Sequence, residues 1–212
     1  MQEVFYTVIE WLFWIGIFIV FYTYLGYGIL LYVLVKVKEL FKKPISIGLP
    51  EPLPEVTLFI AAYNEEDIVA SKMENSHALA YPTDKLKIVW VTDGSNDRTN
   101  ELLKQYPEVT VLFQPQRKGK TAALNRGIQY ITTPYVIFTD ANTMLNKEAV
   151  HEIIRQFSNP EVGCVAGEKR VETNTAQGAT AGEGIYWKYE STLKALDARL
   201  YSAVGAAGEL FA

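Results

Sequence analysis

Cysteine and histidine are scarce in this chain: its 212 residues include one cysteine, Cys164, and two histidines, His77 and His151. A single cysteine excludes an intramolecular disulfide and is typical of a reducing compartment. Neither histidine has another histidine or cysteine at metal-site spacing, which argues against a zinc site of the usual Cys/His kind. Cys164 lies in the run Val-Gly-Cys-Val-Ala, so we expect a buried thiol on a strand.

The chain also lacks an excess of positive charge. It has 20 lysines and arginines against 24 aspartates and glutamates, for a formal net charge of −4. A protein that binds nucleic acid usually presents a basic patch, because phosphate contacts supply most of the affinity. The charge balance therefore gives no reason to expect nucleic acid as a partner.

Charge is absent altogether from Trp11–Val35, a run of 25 residues of which 15 are Leu, Ile, Val or Phe. Such a run is long enough to cross a bilayer. The helix of a soluble core is the alternative, but few such helices are apolar on every face. Glu3 and Glu10 stand where a cleaved signal peptide would have basic residues. We therefore predict a transmembrane helix over about 11–35, within an N-terminal segment 1–43.

The residues that flank this run predict its orientation. Lys36, Lys38, Lys42 and Lys43 follow the run, whereas no lysine or arginine precedes it. By the positive-inside rule, the rest of the chain lies in the cytoplasm, attached to the cell (inner) membrane. Residues 44–55 contain four prolines and predict a stiff linker to a globular domain over 56–212.

Apolar, β-branched runs alternate with helical patterns beyond residue 55, which predicts an α/β domain with a mostly parallel sheet. The predicted strands are 56–61, 86–91, 109–113, 135–139 and 161–166. The predicted helices are 65–79, 97–105, 120–130, 146–157 and 183–200.

Four short polar segments carry the functional signal: Ala-Ala-Tyr-Asn-Glu-Glu (61–66), Val-Thr-Asp-Gly-Ser-Asn-Asp (91–97), Lys-Gly-Lys-Thr-Ala-Ala-Leu-Asn (118–125) and Phe-Thr-Asp-Ala-Asn-Thr (138–143). Three of them follow predicted strands, at whose carboxyl ends open α/β sheets bind ligands. In this order and spacing they resemble the nucleotide-sugar-binding half of family 2 glycosyltransferases, which have the GT-A fold. The resemblance covers about residues 56–211.

The resemblance implies a UDP-sugar donor and a role for each motif. Tyr63 would lie against the uracil ring, with Asn64 and Glu65 beside it. Asp93 would accept the imide N–H of the base. Lys120, at the start of a helix, would add its charge to the helix dipole beside the diphosphate.

Asp140 and Asn142 occupy the positions of the metal-binding Asp-x-Asp motif in the resembling family. Alternation along an extended segment puts both side chains on one side, where they can approach one Mg²⁺ or Mn²⁺ ion. The second carboxylate is here an amide, which offers an oxygen without a charge. We therefore expect metal binding that is weaker or more dependent on the diphosphate.

A phosphate-binding P-loop is the rival interpretation of Gly119-Lys120-Thr121. That motif needs a glycine five positions before Gly119, whereas position 114 is glutamine. The segment before Gly119 is also not glycine-rich. We therefore favour the glycosyltransferase interpretation.

The resemblance implies an inverting transfer, in which a carboxylate general base deprotonates the acceptor hydroxyl. That base is expected beyond Ala212, so this stretch would be an N-terminal fragment. Glu168 and Arg170 are candidates for the acceptor side, with a surface salt-bridge cluster as the alternative. The transmembrane start favours a growing polysaccharide as acceptor. Transfer to a polyprenyl phosphate or other lipid, and a nucleotide-sugar-binding pseudoenzyme, are the two alternatives.

Overall fold

The computed structural model describes residues 2–42, 47–168, 178–203, 205 and 208–212. The chain divides into two compact units. One comprises Met1–Pro44 and Arg170–Gly205, and the other comprises Ile45–Lys169 and Ala206–Ala212.

The elements follow one another in a largely alternating order. In chain order they are α1 (Gln2–Phe21), a π-helical turn (Tyr22–Gly26), α2 (Tyr27–Phe41), β1 (Val56–Ala62), α3 (Val69–His77), β2 (Leu86–Asp93), α4 (Thr99–Leu103), β3 (Thr110–Gln114), α5 (Lys120–Gly127), a 3₁₀ turn (Ile128–Tyr130), β4 (Tyr135–Asp140), α6 (Ala149–Gln156), α7 (Gly178–Leu200) and β5 (Leu210–Phe211).

The second unit is built on a five-stranded sheet in the order β3-β2-β1-β4-β5. The first four strands are parallel, and β5 runs antiparallel to β4. This arrangement confirms the predicted α/β fold with a mostly parallel sheet. The four parallel strands begin within one residue of the predicted starts.

The two faces of the sheet have separate cores, because successive strand residues point to opposite sides. Leu58 and Ile60 of β1 face a large cluster that includes residues of α3, α4 and α6. Phe59, between them, faces a smaller cluster that includes Ala123 of α5. Helices therefore cover both faces, which explains why the parallel strands carry apolar residues on both sides.

The other unit contains the long apolar helical run and α7. The helix over Glu3–Phe41 is, by length and composition, able to cross a membrane. Its α2 part packs against α7, with Leu31, Val35 and Leu196 buried between them. The Tyr27 hydroxyl donates to Asp197 Oδ1 over 2.8 Å at the same contact.

Two expectations for the region after α6 are wrong. The predicted strand 161–166 is reduced, among its described residues, to an isolated bridge between Ala166 and Phe211. Cys164 is exposed rather than buried. The cause is the same for both: β5, which comes from the end of the chain, takes the place beside β4. Residues 165–167 pair instead with the outer side of β5, through hydrogen bonds between Val165 and Ala212 and from Gly167 to Leu210. The Cys164 thiol therefore lies at the exposed edge of the sheet.

We predict that Gly127→Ala destabilises the protein, because α5 approaches the sheet closely at this glycine. An added Cβ would lie 2.3 Å from Phe59 Cζ and 2.6 Å from Val91 Cγ2. Overpacking of this kind costs about 1–3 kcal/mol, which exceeds the roughly 1 kcal/mol that alanine gains over glycine in a helix. The change should lower Tm by roughly 2–4 °C for each kcal/mol lost, as measured by thermal unfolding in detergent.

Gly163→Ala is the matched control, since its Cβ would meet nothing within 4 Å. It should melt like the wild type. Equal melting temperatures for the two variants would contradict the close packing of α5 on the sheet.

Candidate functional site

The polar motifs meet at one edge of the sheet because the strands that precede them are parallel and in register. Asp140 at the end of β4 pairs with Ala61 of β1, and Ala62 pairs with Thr92 of β2. Strand order reverses at β1, which has β2 on one side and β4 on the other. Such a switch point leaves a crevice at the carboxyl ends of the strands, where open α/β sheets bind ligands.

The loops after β1 and β2 are joined by hydrogen bonds through Asn64. Its backbone N–H donates to Ser95 Oγ (3.1 Å), and its side-chain amide exchanges two hydrogen bonds with Asn96. Asn64 has φ 54°, which brings its short amide into this position. The Glu65 N–H donates to Thr99 Oγ1 over 2.9 Å. Asn64 thus uses its amide to hold the two loops together in this structure.

Asp93 is buried at the end of β2, where it holds the loop that precedes α5. Its Oδ2 accepts the backbone N–H groups of Lys118 (2.9 Å) and Gly119 (2.6 Å). Gly119 adopts φ 90°, a conformation that glycine allows without strain. Oδ1 is buried and has no hydrogen-bond partner among the described residues. A buried carboxylate oxygen without a partner costs roughly 1–3 kcal/mol, so a donor at this point would be strongly favoured.

Tyr63 follows β1 and is partly covered by Arg117. The Arg117 guanidinium lies 3.9 Å from the centre of the Tyr63 ring, in cation–π contact. A planar base that stacked on this face of Tyr63 would take the place of the guanidinium or extend the stack.

Lys120 and Asp140 are brought together at the same edge. Lys120 Nζ lies 2.5 Å from Asp140 Oδ1 and donates to the Gly208 carbonyl over 2.9 Å. Both side chains are partly exposed, which lets Lys120 change partners. Because Asp93 holds residues 118 and 119 and Asp140 holds residue 120, one short segment links the two carboxylates.

Three carboxylates at this edge, those of Glu65, Asp97 and Asp140, lie close enough to influence one another. Burial, followed by the negative charges of Asp140 and Asp97, raises the pKa of Glu65 above its usual range. Burial also opposes ionisation of Asp97, but hydrogen bonds from Thr99 and from the backbone of Glu66 lower its pKa overall. A cation near Asp140 would relieve the repulsion between these carboxylates.

The donor set of the Asp-Ala-Asn segment fits a metal ion bound largely through phosphate. Asp140 supplies one carboxylate from the end of β4. Asn142 lies in the turn that follows, not in the extended segment expected from the sequence, because the chain reverses with Thr143 N–H donating to the Asp140 carbonyl. It is exposed and offers an amide oxygen. No group of three or more His, Cys, Asp or Glu side chains suited to a metal occurs among the residues that the structure describes. Magnesium is often held by one or two carboxylates together with substrate phosphates. Lys120 already places a cation on Asp140, which shows that this carboxylate accepts a positive partner.

Sequence reasoning missed Lys72, which lies beneath the metal-motif segment, residues 139–143, where Asp140 and Asn142 are found. It is fully buried on α3, and its ammonium donates to Thr139 Oγ1 over 3.3 Å and to the Thr143 carbonyl. The signal was available: Val69, Lys72, Met73 and Ser76 follow the spacing of the buried stripe of a helix, and all four are buried. A lysine on such a stripe indicates a buried polar partner.

The acceptor-side roles of Glu168 and Arg170 stay predictions. Glu168 is exposed just after the Ala166 bridge, and Arg170 lies outside the described residues.

A separate cavity of about 590 Å³ lies at the opposite edge of the sheet, lined by Thr57, His77, Tyr81, Glu108, Thr110 and Tyr130 among others. None of the motif residues lines that cavity, so it is distinct from the carboxyl-end crevice.

Strand-end carboxylates with a lysine beside a helix start form an arrangement that can receive a phosphorylated ligand on an α/β sheet. The sequence model of glycosyl transferase family 2 matches residues 57–204. The chain therefore belongs to the glycosyl transferase family 2.

Two curated relatives agree with this assignment. The chain is 33% identical over 139 residues to the poly-beta-1,6-N-acetyl-D-glucosamine synthase of Staphylococcus aureus (strain MSSA476), covering 64% of this chain and 33% of that protein. It is 33% identical over 127 residues to the probable glycosyltransferase YdaM of Bacillus subtilis (strain 168), covering 56% of this chain and 30% of that protein. The chain thus spans about a third of the length of the curated relatives it matches.

A solved structure shares the fold. The mannosyltransferase PcManGT from Pyrobaculum calidifontis, in complex with GDP-Man and Mn²⁺, superposes with a TM-score of 0.69 at 23% identity. The match covers 90% of this chain and 52% of that one. At this identity the likeness shows the GT-A-like fold alone.

Proposed function

We propose that this chain is the donor-binding part of a membrane-attached polysaccharide synthase that transfers a sugar from a UDP-sugar. The observation that carries the proposal is the convergence of Asp93, Lys120 and Asp140 at the carboxyl ends of β2 and β4. These groups offer an acceptor for a base and a cation for a diphosphate within one crevice.

Asp93 is the proposed receptor for the base. Its Oδ2 is already engaged by two backbone N–H groups, whereas Oδ1 is buried and has no partner among the described residues. A ligand N–H would reach Oδ1 after a local rearrangement of the atoms that cover it. One acceptor oxygen matches the single imide N–H of uracil. Guanine presents an N–H and an amino group side by side, and would use both oxygens of a carboxylate. Tyr63 would supply the stacking face once Arg117 moves aside, and Asn64 and Glu65 would support the loop beneath it.

Lys120, Asp140 and Asn142 are the proposed receptors for the diphosphate and its Mg²⁺ or Mn²⁺ ion. A divalent ion supplies charge stabilisation to the departing nucleoside diphosphate. With a donor bound, the Lys120 ammonium would turn from Asp140 to a phosphate oxygen, since a lysine near a helix start adds to the favourable helix dipole. Asn142 contributes an uncharged oxygen, so the ion would depend on the diphosphate for most of its negative ligands.

Transfer by this family member is proposed to invert the anomeric carbon. The acceptor hydroxyl loses its proton to a carboxylate base, its oxygen bonds to the anomeric carbon, and the bond to the UDP oxygen breaks. The base itself stays a prediction, as does a role for Glu168 or Arg170 on the acceptor side. A polysaccharide acceptor is favoured because a relative is named a poly-beta-1,6-N-acetyl-D-glucosamine synthase.

Attachment to the cytoplasmic face of the cell membrane is part of the proposal. The apolar helix Glu3–Phe41 supports a bilayer span. Lys36, Lys38 and Lys42 follow its most apolar part, which supports a cytoplasmic position for the sheet domain. UDP-sugars made in the cytoplasm would then have direct access to the crevice.

The donor assignment predicts that the chain binds UDP more tightly than GDP or ADP in the presence of Mn²⁺, as measured by titration calorimetry. Asp93→Asn should weaken UDP binding by about 1–3 kcal/mol. The new amide keeps an oxygen for the Lys118 and Gly119 N–H groups but turns an amino group toward the imide. Asp140→Ala should cause a loss of similar size through the diphosphate.

Asp84→Ala is the control for the donor titration, since Asp84 is an exposed carboxylate just before β2, at the other end of that strand. It should bind UDP like the wild type. Tighter binding of GDP or ADP than of UDP would overturn the uridine assignment.

The proposed orientation predicts the labelling of two thiols by an impermeant maleimide. Native Cys164 is exposed and should react only after the cells are permeabilised. A Gln2→Cys variant made in a Cys164→Ser background should react on intact cells, because residue 2 would lie outside. The reverse pattern would place the sheet domain on the outer face and remove its access to cytoplasmic donors.

A further inference from the structure

The buried lysine of α3 is a feature that the donor site described above does not use. Lys72 has no exposed surface, and it sits among the apolar side chains of the larger core. Burial of an ammonium is costly unless hydrogen bonds and an opposite charge compensate it. A lysine retained at such a position therefore needs a compensating partner close by.

Its partners are the two ends of the metal-motif segment. The Lys72 ammonium donates to Thr139 Oγ1 over 3.3 Å and to the carbonyl of Thr143. The Thr139 hydroxyl in turn donates to the backbone carbonyl of Asp140 over 3.3 Å. Lys72 thus spans the turn that carries Asp140 and Asn142, and contacts it before the first of these residues and after the second.

The same helix holds the next residues of the segment. Asn75 donates through Nδ2 to the carbonyl of Leu145 and accepts the Leu145 N–H at Oδ1, both over 2.8 Å. The segment 139–145 therefore rests on α3 through two side chains, one charged and one neutral. Since α3 is itself packed in the core, the segment is fixed to a rigid support.

The charge of Lys72 is maintained near neutral pH. Burial lowers the pKa of Lys72 to about 8, while the negative charge of Asp140 opposes this decrease. The amine is therefore mostly protonated at pH 7 and can donate all three of its N–H bonds. Charge-assisted hydrogen bonds of this kind are about twice as strong as neutral ones.

We propose that Lys72 is a positioning residue of the donor site: its buried ammonium fixes the 139–143 turn from beneath and so holds Asp140 and Asn142 where the donor diphosphate and its metal ion are received. The inference rests on the proposed function for the identity of the ligand. The ammonium acts through Thr139 and the Thr143 carbonyl and touches no substrate atom.

The test compares Lys72→Met with Lys85→Met in the full chain. Lys85 also donates to a backbone carbonyl, that of Leu53 over 2.7 Å, but at the opposite edge of the sheet. Amide hydrogen exchange of the ligand-free proteins should be faster across 139–145 in Lys72→Met and unchanged there in Lys85→Met. With Mn²⁺, Lys72→Met should bind UDP about tenfold more weakly and bind uridine, which has no phosphate, within about twofold of the wild type.

A loss confined to UDP separates positioning from general damage to the fold, because misfolding would weaken uridine binding equally. Should Lys72→Met fail to fold, Thr139→Val removes one acceptor of the ammonium and should reduce UDP affinity about threefold, with Thr139→Ser restoring most of that loss.

Several results would overturn the inference. They are unchanged exchange across 139–145, equal losses for UDP and uridine, or the same loss in Lys85→Met. Failure of the wild type to bind UDP would instead contradict the proposed function and, with it, the role given to Lys72. The two kinds of failure are distinguishable, because the results that overturn the role of Lys72 are seen in the variants while the wild type still binds UDP.

Discussion

The parallel pairing of β1 with both β2 and β4 is the constraint on which the site depends. Because Ala61 pairs with Asp140 and Ala62 with Thr92, the loops after three strands emerge side by side. A shift of one residue in either register would turn the apolar side chains of a strand to the wrong face. The two cores on the faces of the sheet therefore fix the positions of Asp93 and Asp140 as well as the fold.

The carboxylates of Asp93 and Asp140 at the carboxyl-end edge of the sheet are each compensated by positive or N–H groups. Asp140 forms an ion pair with the exposed Lys120, and its charge also acts on the buried ammonium of Lys72. Asp93 is compensated by backbone N–H groups rather than by a side-chain cation. This division suits a ligand with a neutral base and an anionic diphosphate. It also suits the replacement of a motif carboxylate by Asn142, because fewer negative charges need to be balanced.

The sequence predicted those parts of the structure that depend on local patterns. Apolar, β-branched runs located β1 to β4, and the residues after them located Asp93 and Asp140 at a common edge. It could not predict β5 or the exposure of Cys164, because both follow from pairing between residues far apart in the chain. The burial of Lys72 could have been inferred from its place on the buried stripe of α3, but its contacts with Thr139 and Thr143 could not, because these residues are about 70 positions away. The partners of Asn64 and Arg117 were equally invisible, since they come from another loop and from an aromatic ring.

A crystal structure of the chain with UDP and Mn²⁺ would show whether Asp93 and Asp140 receive the same donor, since manganese can be located by its anomalous scattering. We expect a manganese peak beside Asp140 and Asn142, with the uracil within hydrogen-bonding distance of Asp93 Oδ1. Density for the nucleotide in the cavity at the opposite edge, between His77, Glu108 and Tyr130, would contradict it. So would a manganese peak remote from Asp140.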